Sequence, residues 1–124
     1  MIVGIGTDLL EVARMERELR RDGRAVKERL FTPAESAYCE GKRYPPRHFA
    51  ARFAAKEALV KALPAPPGAV RPLDVEVLPT AGGRPQMVLH GAARALAERA
   101  GVRAIFLSLT HTRRVAAAQV VLES

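Results

Sequence analysis

The stretch RFAAKEALVKAL, residues 52–63, constrains this chain more than any other. It is predicted to be helical within a run from about His48 to Leu63. At about 100° per residue, Phe49, Phe53, Leu59, Val60 and Leu63 share one apolar arc. Arg52 and Lys56 fall inside that arc, Glu57 at its edge and Lys61 just beyond. Cations in a buried stripe are costly unless something pairs with them. Arg52 and Lys56, four apart, also set like charges on one face. Glu57 and Lys61 can pair in the favoured orientation. Arg52 and Lys56 must either snorkel to the surface or meet an anion, of which phosphate is the commonest.

The flanking segments predict an α+β domain spanning residues 1–124, with a small, mostly antiparallel sheet packed against helices. MIVGIGTD is β-branched and punctuated by Gly4 and Gly6, and predicts a strand over 2–7. LLEVARMERELRRDG has helical periodicity and is expected to stop at Gly23. Thr32-Pro33 opens a short helix to about Cys39, which KRYPPR ends. After the stiff PAPPGAVRP loop, LDVEVLP and PQMVLH form a hairpin through TAGGR. GAARALAERAG is a helix closed by Gly101, and AIFLSLTH and VAAAQVVLE are strands turned by TRR. The expected order is β-α-α-α-β-β-α-β-β.

Charge narrows the choice of partner. Twenty Lys and Arg against 13 Asp and Glu give a formal net charge of +7. Such a surface suits an acidic protein, a nucleic acid, an anionic membrane or a phosphate-rich ligand. Aromatic residues are only 5% with no Trp, so stacking platforms for single strands are thin. No helix-turn-helix or zinc-finger spacing occurs, and nucleic acid is not the expected partner. No apolar run is long enough for a membrane span. Without a basic leader, a cytoplasmic protein is expected. The lone Cys39 excludes an internal disulfide and reads as an idle thiol.

Three groups of residues carry the candidate chemistry. Asp8 ends a strand after two glycines; it reads either as a helix N-cap, with Glu11 at capping-box spacing, or as a carboxylate facing a site. Together with Glu57 it supplies two hard oxygens, and Mg²⁺ is typically held by one or two carboxylates plus substrate phosphates. His111 lies at the end of LSLTHT, where strand ends collect reactive groups. Arg14, Arg17, Arg21 and Arg24 recur at helical spacing and make a basic stripe.

GIGTDLLEV, RFAAKEALVKAL, LDVEV with its hairpin, LSLTHT and AAAQVV occur here in that order. The set resembles the holo-acyl-carrier-protein synthases, the short bacterial class of 4′-phosphopantetheinyl transferases, over nearly the whole chain. The resemblance implies transfer of phosphopantetheine from coenzyme A to a serine of an acidic apo acyl carrier protein, usually for fatty acid synthesis. It implies that Asp8 and Glu57 hold Mg²⁺ and that Asp8, Glu57 and Lys61 form the catalytic set. The serine proton goes to Glu57 or to a metal-bound water. Lys61 binds the pyrophosphate and helps neutralise or protonate the leaving phosphate. It places Arg52 and His111 near the nucleotide phosphates, with Lys56 as supporting charge. The carrier docks on the first helix, at Arg14 with Met15 and Arg21. It also implies a homotrimer with sites between subunits. One departure stands out. A Gly-Thr-Gly type loop usual after the central helix is replaced by Pro64-Ala65-Pro66-Pro67-Gly68, and prolines remove backbone donors.

Overall fold

A computed structural model describes all 124 residues. The chain runs β1 (Ile2–Glu11), α1 (Val12–Leu30), α2 (Pro33–Glu40), α3 (Pro45–Ala62), a 3₁₀ turn (Pro72–Asp74), β2 (Val75–Pro79), β3 (Pro85–Leu89), α4 (Gly91–Arg99), β4 (Ala104–His111) and β5 (Val115–Glu123). The order of strands and helices is the expected one. The strands form two antiparallel sheets, not one: a three-stranded sheet in the order β1-β5-β4, and the β2-β3 hairpin. The C-terminal strand is therefore central, paired with the N-terminal strand on one side and with β4 on the other.

α3 is the axis of the molecule. Phe49, Ala50, Ala51, Ala54, Ala55, Ala58, Leu59 and Ala62 are all buried, and Lys61 is its one exposed residue. Two hydrophobic clusters share it. Its C-terminal half packs with Val75, Val77, Met87, Val120 and Leu122, from the hairpin and β5. Its N-terminal half packs with Val12, Met15, Val26, Phe31 and Cys39, from α1, the residue that follows it, and α2. Alanine dominates because a helix covered on most sides has little room for large side chains.

The glycines of β1 let that strand lie on α3. A Cβ built on Gly6 would stand 1.8 Å from the Ala58 carbonyl oxygen, and one on Gly4 would stand 1.9 Å from that of Ala62. Any side chain at either position would force strand and helix apart. β1 then continues past these glycines to Glu11, so Asp8 lies within the strand, opposite Ala118. The expected N-cap role fails: the cap position is Glu11, and no side chain caps α1.

α1 also outruns the stop expected at Gly23. Asp22 leaves helical geometry (φ −158°, ψ 74°), and its carboxylate accepts the Ala25 N–H at 3.2 Å, capping a second helical run to Leu30. Burial of Val26 accounts for the continuation, since it needs the helical face turned to the core. The helix breaks where the sequence says, and then resumes.

Candidate active site

The half-open stripe of α3 carries Phe53, Glu57 and Lys61, spaced four residues apart. Phe53 and Val60, expected in the buried arc, are only half-buried. Lys61 reaches across to β1, where its ammonium donates to Asp8 Oδ1 at 3.1 Å and to the Thr7 carbonyl at 3.1 Å. The expected Glu57–Lys61 pair does not form. Lys61 turns to β1 because the Gly4 and Gly6 contacts bring that strand against the same side of the helix. Glu57 is left with its carboxylate engaged by no donor of the chain, one turn from Lys61. An ammonium has three donors and two are used, so Lys61 retains one for a ligand. The Asp8–Lys61 pair lies at the rim, with side-chain exposures of 18% and 56%. A pair so exposed contributes little to stability and is free to rearrange around a bound group. No cluster of three or more His, Cys, Asp or Glu surrounds it. Two carboxylates beside an open face do not make a closed protein cage. They fit a hard cation that completes its shell with water and substrate oxygens.

Lys56 turns away from this face, which corrects its expected place as supporting charge among the cofactor-binding residues. It is 1% exposed and points inward, where its ammonium donates to Glu35 Oε1 at 2.8 Å, to the Pro72 carbonyl at 2.9 Å and to the Val75 carbonyl. Burial holds its pKa below the usual lysine range, while the charge and hydrogen bond of Glu35 pull it back up. Its anion is a carboxylate from α2 and not a ligand. Nothing in the sequence marks Glu35 as that partner beyond its place in the Thr32 capping box.

Arg52 is different. It is buried, yet its Nε has no hydrogen-bond partner. Its guanidinium lies 4.3 Å from the Tyr38 ring centroid, and its Nη1 donates to the His48 carbonyl at 3.5 Å, the limit of a hydrogen bond. His48 meets His111 edge-to-face, with ring centroids 5.6 Å apart. Lys42 lies over the other neighbour of this cluster, 4.5 Å from the Tyr38 centroid. Burial, then Arg52, His111, Lys42 and Arg47, push the His48 pKa down to about 4. Burial and Arg47 also lower that of His111. Arg52 and His111 are thus brought together, joined by Arg47 and Tyr38, which nothing in the sequence marks, and by His48. The spacing of His48 four residues before Arg52 was the available signal.

On the far side of Phe53 lies a groove of about 310 Å³ between α1 and α3, lined by Leu10, Arg14, Met15, Val26, Arg29 and Phe53. Met15 is buried in its floor, so its side chain is core first and contact surface second. The basic stripe is interrupted. Arg21 pairs with Glu18 at 2.7 Å, and Arg24, beyond the Asp22 break, pairs with Glu28 at 3.0 Å. Arg14 and Arg17 have no ion pair within the chain.

The proline loop is poor in donors. Ala65 N–H donates to the Leu63 carbonyl and Ala69 N–H to that of Pro66, while Pro64, Pro66 and Pro67 have none. Gly68, at φ +81°, holds the one N–H of residues 64–69 not committed within the chain.

The sequence profile of the 4′-phosphopantetheinyl transferase superfamily matches residues 4–119. The chain is 48% identical over 126 residues to the holo-[acyl-carrier-protein] synthase of Anaeromyxobacter dehalogenans, covering 99% of this chain and 97% of that protein. Its fold is similar to the crystal structure of holo-[acyl-carrier-protein] synthase from Neisseria meningitidis, with a TM-score of 0.89 and 33% identity over the full length of both chains. It is also similar to that of the Bacillus anthracis enzyme in complex with CoA (3′,5′-ADP). There the TM-score is 0.81 at 35% identity, over 100% of this chain and 98% of that one.

Proposed function

The chain belongs to the 4′-phosphopantetheinyl transferase superfamily, and from that premise we infer that it is a holo-acyl-carrier-protein synthase. It transfers phosphopantetheine from coenzyme A to a serine of an acyl carrier protein, releasing adenosine 3′,5′-bisphosphate. Relatives of this name at 42–48% identity over nearly the whole chain support the activity. The observation that carries the residue assignment is the Asp8–Lys61 contact with Glu57 unengaged one turn away.

In the reaction, the serine oxygen forms a bond to the phosphorus that carries pantetheine, the pyrophosphate bridge breaks, and the serine proton is lost to a base. Catalysis of this type is positioning and charge neutralisation. Asp8 and Glu57 would hold Mg²⁺, which when bound neutralises charge on the phosphoryl oxygens. The spare donor of Lys61 stabilises the leaving phosphate. Arg52, whose Nε is unpartnered, and His111 receive the nucleotide phosphates. Arg47 adds positive charge beside them, and His48, held neutral by its low pKa, contributes a ring nitrogen and no charge. The groove between α1 and α3 receives the acidic carrier protein through Arg14 and Met15, with Arg21, paired to Glu18, outside the groove on the same helix. Phe53 lies both in that groove and on the stripe leading to Glu57, so a docked carrier would approach the reacting groups directly. Fatty acid synthesis is the expected pathway.

The assembly we propose is a homotrimer with sites shared between copies. The three-stranded sheet supports it. Its inner face packs on α3, while its outer face shows Ile5, Val121 and Phe106 in one row across β1, β5 and β4. Leu9, four residues after Ile5 on the same face, is 67% exposed, and Ile5 and Phe106 are 58% and 54% exposed. An apolar face of this kind on a small chain marks an interface.

The decisive experiment is the intact mass of an apo acyl carrier protein after incubation with this protein, coenzyme A and Mg²⁺. The expected result is a gain of one phosphopantetheine group, abolished by EDTA. No gain with a competent carrier and folded protein would overturn the assignment.

A further inference from the structure

All three N–H donors of the Lys56 ammonium are satisfied inside the protein, by Glu35 Oε1 and the carbonyls of Pro72 and Val75. Glu35 is as fully used. Oε1 also accepts the Thr32 N–H at 2.9 Å, and Oε2 accepts the Val77 N–H at 2.9 Å. One ion pair, 0% and 1% exposed, therefore joins the start of α2, the middle of α3, the 3₁₀ turn and β2.

Burying two charges is a poor route to stability, since apolar residues of similar volume serve as well or better. The pair supplies direction instead. α3 is buried on most sides, and its many alanines offer few side chains to interlock. On the β1 side the contact is glycine against backbone carbonyls, which fixes how near the helix lies but resists its rotation weakly. Lys56 is the one side chain of α3 whose polar head has a complete set of partners in the interior. Glu57 follows it by a single residue, about 100° further round the helix, and Lys61 lies one turn beyond Glu57.

We propose that Glu35 and Lys56 are positioning residues whose buried ion pair sets the rotation of α3 and thereby aims Glu57 and Lys61 toward Asp8. The activity arm of the test rests on the transferase reading, so a second arm without substrates accompanies it. Glu35→Gln keeps the shape of the joint and removes its charge; Glu35→Leu with Lys56→Met replaces the joint by apolar groups. Both are expected to lower kcat about 10- to 100-fold, the cost of a small misplacement of reacting groups. KM for coenzyme A should stay within about threefold, because no ligand contact is lost. Both variants should keep the low kcat at temperatures well below their own Tm, where each is fully folded, an outcome that loss of stability alone would not give. In the second arm, amide hydrogen exchange over residues 57–61 should be faster in Glu35→Gln than in the wild type. Unchanged kcat in Glu35→Gln would overturn the proposal, as would an apolar pair that restores both Tm and turnover. A rise in the coenzyme A KM alone would also overturn it and return Lys56 to ligand binding. An inactive wild type whose exchange still responds to Glu35→Gln would sink the transferase reading and leave the joint standing.

Discussion

Glu57 and Lys61 stand one turn apart on the same helix and have opposite surroundings. Lys61 is held by Asp8 and the Thr7 carbonyl, whereas Glu57 has no donor in the chain. Under the proposed role of Glu57 as a metal ligand, Glu57→Gln should leave Tm nearly unchanged while turnover falls at least about 100-fold. Thermal melts and the carrier modification assay check the two halves. His48 behaves differently. Its pKa of about 4 lies below the ordinary 6.5, so between those values the unfolded chain binds a proton that the folded chain refuses. Stability should fall as pH drops from about 6.5 toward 4. His48→Gln should flatten that slope relative to the wild type in melts across the same range, since carboxylates contribute equally to both proteins.

At the scale of elements, the contact between β1 and α3 governs the site. Gly6→Ala would drive a methyl group into the Ala58 carbonyl, where 1.8 Å is available. The expected cost is about 1–3 kcal/mol, typical of overpacking, seen as a lower midpoint in urea. Activity should fall further than stability does, because Asp8 moves with the strand. α1 acts through its surface. Arg14→Glu places an acid at the mouth of the groove beside Met15, and an acidic carrier should then bind less well. KM for the carrier should rise about tenfold or more with KM for coenzyme A nearly constant. KM values for both substrates unchanged from the wild type would remove α1 from the docking surface.

The whole molecule leaves one sheet face uncovered, with Ile5, Leu9 and Phe106 exposed. Sedimentation should give three times the 13.5 kDa chain mass at working concentrations. Leu9→Glu should shift that mass toward a single chain and lower activity in parallel, if the sites are shared between copies. A wild-type mass of one chain with full activity would dismiss the trimer.

The sequence by itself determined the order of elements, the α+β class and the central helix, and it singled out Asp8, Glu57 and Lys61 as candidates. These follow from periodicity, from glycine and proline punctuation, and from motifs that a local stretch of chain carries intact. Tertiary structure alone decided what each charge faces. The 3.6-residue period placed Arg52 and Lys56 together in a buried arc, but not their partners. Glu35 is 21 residues from Lys56 and comes from another helix. The Thr7 carbonyl and Asp8 reach Lys61 across more than 50 residues of chain, because two glycines let β1 rest on α3. Asp8 read equally well as an N-cap until the strand proved to extend beyond it to Glu11. A local pattern fixes which face of a helix a side chain occupies. What lies opposite that face depends on the packing of segments distant in sequence, and here that packing made Lys56 a structural cation and left Glu57 unpaired.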